Sequence, residues 1–153
     1  MRLQFAILGV AMLLLNACND VTYRSSVPEM PVRYTLYISR EYPHFTVENG
    51  FQVLPAITAP KFEGDFVGYG GLLVWVGMDN AYHAADVCCP NCLKRNKPVE
   101  VDGFYAVCPE CGEQFDLSFG LCVPTQGVTN EALKIYHTLY RNTATGTELR
   151  ITN

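Results

Sequence analysis

The hydrophobic pattern divides the chain into one long apolar run and a series of short ones. Residues 3–15 are uncharged and, Gln4 apart, apolar behind Met1 and Arg2, and are shorter than the roughly 20 residues a bilayer-spanning helix needs. Beyond them the apolar positions come in runs of four to eight, rich in β-branched and aromatic residues, which is the signature of strands. Residues 32–39 form the first such run. Residues 72–76 form a fully apolar strand behind the break at Gly68, Gly70 and Gly71, and a turn at residues 77–80 returns the chain into residues 81–85 as a hairpin. Residues 99–101 and 104–107 flank Asp102-Gly103, a dipeptide suited to a two-residue hairpin turn. Residues 41–45 and 53–60 carry Pro43, Pro55 and Pro60 and read as irregular or edge segments. Residues 133–140 fit two periods, alternating like a strand while Leu133, Tyr136 and Tyr140 keep helical spacing behind Thr129-Asn130. Residues 147–152 read as a closing strand after a turn at Thr145-Gly146. The class expected is mainly β.

Composition supports a packed core: 49% of the 153 residues are hydrophobic and 17% are charged, below the usual quarter. The net charge of −4 comes with no lysine- or arginine-rich run, so nucleic acid is not an expected partner.

The apolar run ends in Leu15-Asn16-Ala17-Cys18. These four residues resemble the lipobox of bacterial lipoproteins, in which the cysteine is acylated and becomes the new N-terminus. The resemblance implies a signal peptide over residues 1–17, lipidation at Cys18, a polar tether through residue 30 and a single domain over residues 31–153. The expected location is outside the cytoplasm, anchored to a membrane. The alternative is an ordinary secretory peptide cleaved after Ala17. Arg2 has no arginine neighbour, so no twin-arginine signal is present. Export unfolded, with any cofactor acquired afterwards, is the expectation.

Six of the seven cysteines lie between residues 88 and 122. The central pattern is Cys89-Pro90-Asn91-Cys92, fifteen residues, then Cys108-Pro109-Glu110-Cys111-Gly112. A tight C-x2-C loop turns two sulfurs toward one point, and the hairpin between the pairs sets the two loops side by side. Cys89, Cys92, Cys108 and Cys111 are therefore the candidate ligands of a metal at a four-cysteine site, zinc or iron. Cys88 and Cys122 are read as non-ligands, either disulfide-bonded to each other or buried as small apolar residues. An oxidising compartment also allows disulfides throughout the cluster. His44, His83 and His137 are read as surface or half-buried residues, and Trp75 as core.

The stretch from Gly68 onward resembles a Rieske-type domain, the family that carries a [2Fe–2S] cluster on a β sandwich. Residues 72–86 resemble the hairpin before the first cluster loop. Cys89-Pro90 is similar to the start of that loop. Cys108 to Gly112, with Phe115-Asp116-Leu117 and Gly120, are similar to the second loop. Gly127-Val128-Thr129 stands where the family often has Gly-Pro-Ala. The resemblance implies a Rieske-like β sandwich, a zinc-ribbon-like subdomain of two cysteine knuckles at about residues 86–123, and a strand at residues 133–140. Both histidine ligands are missing, with Asn91 and Cys111 at their positions, so all-cysteine ligation would lower the potential of an iron–sulfur cluster far below the family's range.

Four functions follow: a non-catalytic module stabilised by zinc, a [2Fe–2S] electron-transfer protein with a redox partner, a vestigial site closed by disulfides, and a thiol–disulfide oxidoreductase. The last needs a C-x-x-C pair at a helix N-terminus, where this chain has hairpins. No G-x-S-x-G, H-E-x-x-H or phosphate-loop motif occurs.

Overall fold

A computed structural model describes residues 23–46, 50–60, 62–144 and 146–153. The expected signal peptide, Cys18 and the first part of the expected tether lie outside the described residues, as does Thr145 of the last expected turn. The fold is mainly β, with eleven described strands in two antiparallel sheets.

The larger sheet has seven strands: β1 (Val32–Tyr37), β2 (Phe51–Pro55), β3 (Phe66–Val67), β4 (Gly71–Val76), β5 (Tyr82–Asp86), β10 (Ile135–Thr143) and β11 (Gly146–Thr152). Their order is β2-β4-β5-β10-β11-β1-β3. Strands from its two halves face one core: Leu72, Val74 and Val76 of β4 pack in a cluster with Val32, Tyr34 and Leu36 of β1 and Leu149 and Ile151 of β11. The sheet therefore curls on itself. Its edges fall at β2, whose Pro55 suits an edge, and at the two-residue β3.

The first strand ends two residues earlier than its sequence pattern predicts. The Tyr42 N–H donates to the Ile38 carbonyl at 3.0 Å and closes a helical turn, α1 (Ile38–Glu41), which buries Ile38. Residues 133–140 satisfy two periodicities in sequence, and pairing decides between them. Tyr136 lies opposite Ala84 of β5 and Tyr140 opposite Leu149 of β11, so β10 is a strand gripped on both sides.

The smaller sheet is a meander of β6 (Glu100–Asp102), β7 (Tyr105–Val107), β8 (Gln114–Asp116) and β9 (Pro124–Gln126). The continuous apolar run of β4 is buried on both faces because the two sheets share it. Leu73 and Trp75 point away from the first core and join Ala85, Val87, Ala106, Phe115 and Leu117 in a second. The Trp75 indole N–H donates to the Leu117 carbonyl at 2.6 Å and satisfies the polar edge of a buried ring.

Residues 23–30, expected as tether, are laid on the domain. Val27 is buried, the Ala132 N–H donates to the Arg24 carbonyl at 3.1 Å, and the Ser26 hydroxyl donates to Glu131 at 2.7 Å. Among the described residues no helix is long and apolar enough to cross a membrane.

Candidate metal centre

Two turns of the same design carry the four cysteines. In the first, the Leu93 N–H donates to the Cys89 carbonyl at 2.9 Å; in the second, the Gly112 N–H donates to the Cys108 carbonyl at 2.9 Å. Each turn closes on a residue with positive φ, 53° at Leu93 and 74° at Gly112. Glycine adopts that conformation freely, and leucine only at a cost. The first turn is anchored through the Cys88–Pro98 bridge and the Val99 N–H to Val87 carbonyl bond of 2.9 Å. The second is the connection between β7 and β8, with the Cys108 N–H donating to the Glu113 carbonyl at 2.8 Å.

The sulfurs converge. The four Sγ atoms of Cys89, Cys92, Cys108 and Cys111 all lie within 4.8 Å of one another. Between the turns, Cys89 and Cys111 approach to 3.8 Å and Cys92 and Cys108 to 3.9 Å. A tetrahedron with metal–sulfur bonds of about 2.3 Å has edges of about 3.8 Å. The four residues can hold a metal ion.

The sulfurs are supported by N–H donors. The backbone N–H groups of Asn91 and Cys92 donate to the Cys89 sulfur. The Glu113 N–H and the Asn91 side chain donate to the Cys111 sulfur. In the thiol state the protons are shared unevenly. Burial pushes the Cys89 thiol up. Cys92, hydrogen-bonded to Cys111 and partly desolvated, is pushed up to about 12. Burial also raises Cys111, but hydrogen bonds from Cys92, Glu113, Asn91 and Cys108 outweigh it and bring this thiol down to about 7. One sulfur is therefore the natural first thiolate, the form that binds metal.

The rim is cationic. Lys94 pairs with Glu110 at 2.5 Å and Lys97 with the same carboxylate at 3.5 Å, joining the loop after the first turn to the second turn. These hydrogen bonds and charges raise Lys94 and lower Glu110. Arg95 donates to the Tyr69 carbonyl at 2.5 Å and lies over the Tyr69 ring. Three cations beside four thiolates partly offset the negative charge of a filled site.

Glu113 ties the second knuckle to residues 128 and 129. Its side chain is buried, and its Oε1 accepts N–H bonds from Val128 at 2.6 Å and Thr129 at 3.1 Å. A Cβ at Gly127 would stand 2.1 Å from the Glu113 carboxylate, so only glycine fits there. Glu113 does not stand out in the sequence as part of the site, and Asn91 does so only as the residue at a missing histidine position of the Rieske-like loop. Their roles depend on contacts across the two turns that no spacing reveals.

The remaining candidates lie apart. Cys88 and Cys122 are buried, and none of the six described cysteines is in a disulfide. Burial, then the nearby Asp86, pushes Cys88 up to about 12; burial pushes Cys122 up further. Both occupy core space as small apolar groups. Asp86, beside Cys88, is fully buried and accepts bonds from the N–H groups of Tyr69, Gly70 and Cys88 and from the Tyr136 hydroxyl. His83 bonds Asp79 at 3.0 Å and leans on Trp75, while His44 and His137 are exposed; none joins the sulfur cluster.

Comparison with protein-family models, with curated proteins and with solved structures gives no match.

Proposed function

We propose that this chain is an exported lipoprotein, anchored to a membrane through Cys18, whose Rieske-like β domain is stabilised by a zinc ion held by Cys89, Cys92, Cys108 and Cys111. The observation that carries the zinc reading is the single 4.8 Å envelope around all four sulfurs. One ion can reach four donors so placed. Two irons bridged by sulfides would hold their two thiolate pairs farther apart than one shared ion does. Closed tetrahedral coordination leaves no open position for substrate, so the zinc is structural and the module non-catalytic. An exported chain that crosses the membrane unfolded can take up zinc on arrival. The anchor is supported by the apolar run and the Leu15-Asn16-Ala17-Cys18 box.

The second reading is a [2Fe–2S] electron-transfer protein acting with a redox partner. The resemblance of Cys89-Pro90, residues 108–112 and Phe115-Asp116-Leu117 to Rieske loops favours it. The missing histidines and the compact sulfur envelope weigh against it.

Full-length protein extracted from membranes decides between them through metal content, acid-labile sulfide and visible absorbance on one sample. A colourless protein with one zinc per chain supports the proposal. Iron and sulfide in equal amounts, with a coloured protein, overturn it.

A further inference from the structure

The end of the domain opposite the metal centre carries exposed apolar side chains where the chain arrives from Cys18. Tyr23, the first described residue, is 44% exposed, and it shares a cleft of about 580 Å³ with Leu121, itself 56% exposed. Phe119, two residues away, is 61% exposed. Met78, 53% exposed, is tied to the same loop by its N–H bond to the Ser118 carbonyl at 2.8 Å. Met78, Phe119 and Leu121 thus lie on or beside one loop, residues 118–121, and Tyr23 joins it through the cleft shared with Leu121. β7 rises from it to Cys108 and β8 descends from the second knuckle back to it, so the sulfurs sit at the other end of the small sheet.

Length fixes what this end must face. Five residue steps lead from Cys18 to Tyr23, and even fully extended they reach no more than about 18 Å. A domain of this size is about 35 Å across. Arg24 and Ser26 are fastened to Ala132 and Glu131, so the described arm cannot peel away without losing those bonds.

We infer that the Tyr23, Met78, Phe119 and Leu121 end lies on the bilayer surface, its side chains seated among lipid headgroups, with the four-cysteine centre held outward toward the aqueous space. This rests on acylation of Cys18. Apolar and aromatic side chains in this setting enter the headgroup–acyl boundary by burial of area, with no need for anionic lipid. The outward centre, rimmed by Lys94, Arg95 and Lys97, is then the end open to a soluble partner.

A second exposed apolar group provides the control. Ile57, 87% exposed, follows β2 at the end where Pro55 pairs Gly71, on the metal-centre side of the large sheet. Phe119→Trp and Ile57→Trp are made in the full-length chain and reconstituted in phosphatidylcholine vesicles with acyl-brominated lipid. Buried Trp75 contributes a constant background, and metal content checks that each variant is folded. The inference predicts that the Phe119→Trp signal falls to about half, as insertion at the headgroup–acyl boundary allows, while Ile57→Trp is unchanged. Quenching of Ile57→Trp instead, or of both equally, overturns it. No quenching of either, with acyl groups found on Cys18 by intact mass, overturns the orientation alone. A mass without acyl groups overturns the anchor and the orientation together.

Discussion

Asn91 and Leu93 show how much a single position sets at this centre. The Asn91 side chain bonds from the first knuckle to the Cys111 sulfur of the second. Groups that orient ligands from one shell out typically alter metal affinity 10- to 100-fold when removed. Asn91→Ala is therefore expected to weaken zinc binding at least about tenfold, as measured by competition with a chromophoric chelator; unchanged affinity would remove Asn91 from the site. Leu93 holds φ of 53°, where its counterpart in the second turn is Gly112. Leu93→Gly removes left-handed strain and should raise stability by about 1 kcal/mol in denaturant melts of the metal-loaded protein. A loss of stability would mean that the leucine side chain, not the backbone, matters there.

Elements meet where β4 is shared. Gly120 closes the loop after β8 with φ of 75°, and a Cβ on it would stand 2.1 Å from the His83 ring. That ring is fixed by Asp79 and leans on Trp75. Gly120→Ala thus combines backbone strain with a clash against a held ring, and a loss of about 2 kcal/mol or more is expected in thermal or denaturant unfolding. A neutral outcome would show that the loop is free of β5.

Much of this level was legible beforehand. The fully apolar residues 72–76 and the Asp102-Gly103 turn announce β4 and the β6–β7 hairpin without reference to anything distant. β3, β8 and β9 do not announce themselves, because they are two or three residues long and depend on their neighbours. β8 has only Phe115 as an apolar anchor, and that ring becomes informative once it is seen buried against β4. The candidate site divides the same way. Its four cysteines are readable from spacing alone, whereas Asn91, Glu113 and Gly127 act through contacts that the fold creates. The free, buried state of Cys88 and Cys122 also depends on where the two sheets place them.

Across the whole molecule, the two cores give the metal a local reach. One cluster joins the large sheet to the helical turn and loops beside it and takes no residue from the small sheet, and the other contains Cys89 and Cys108. Removing the metal should therefore loosen β6 to β9 and leave β1, β10 and β11 intact. Hydrogen exchange after chelation is expected to show protection lost in the small sheet and kept in the large one; uniform loss would show a single cooperative unit. Thiolate ligation also sets the sign of the pH effect. Protons compete with the metal for sulfur, so affinity falls as pH falls, and uptake at neutral pH releases protons. A cluster of thiols with Cys89 and Cys92 pushed up and one low thiol at Cys111 reaches full ligation only by losing those protons.

X-ray absorption at the metal edge of the membrane-extracted protein tests the shared-ion geometry most directly. The account predicts zinc with four sulfur scatterers at about 2.3 Å and no metal neighbour. Fewer than four sulfurs, or a second metal atom behind the first shell, would contradict it.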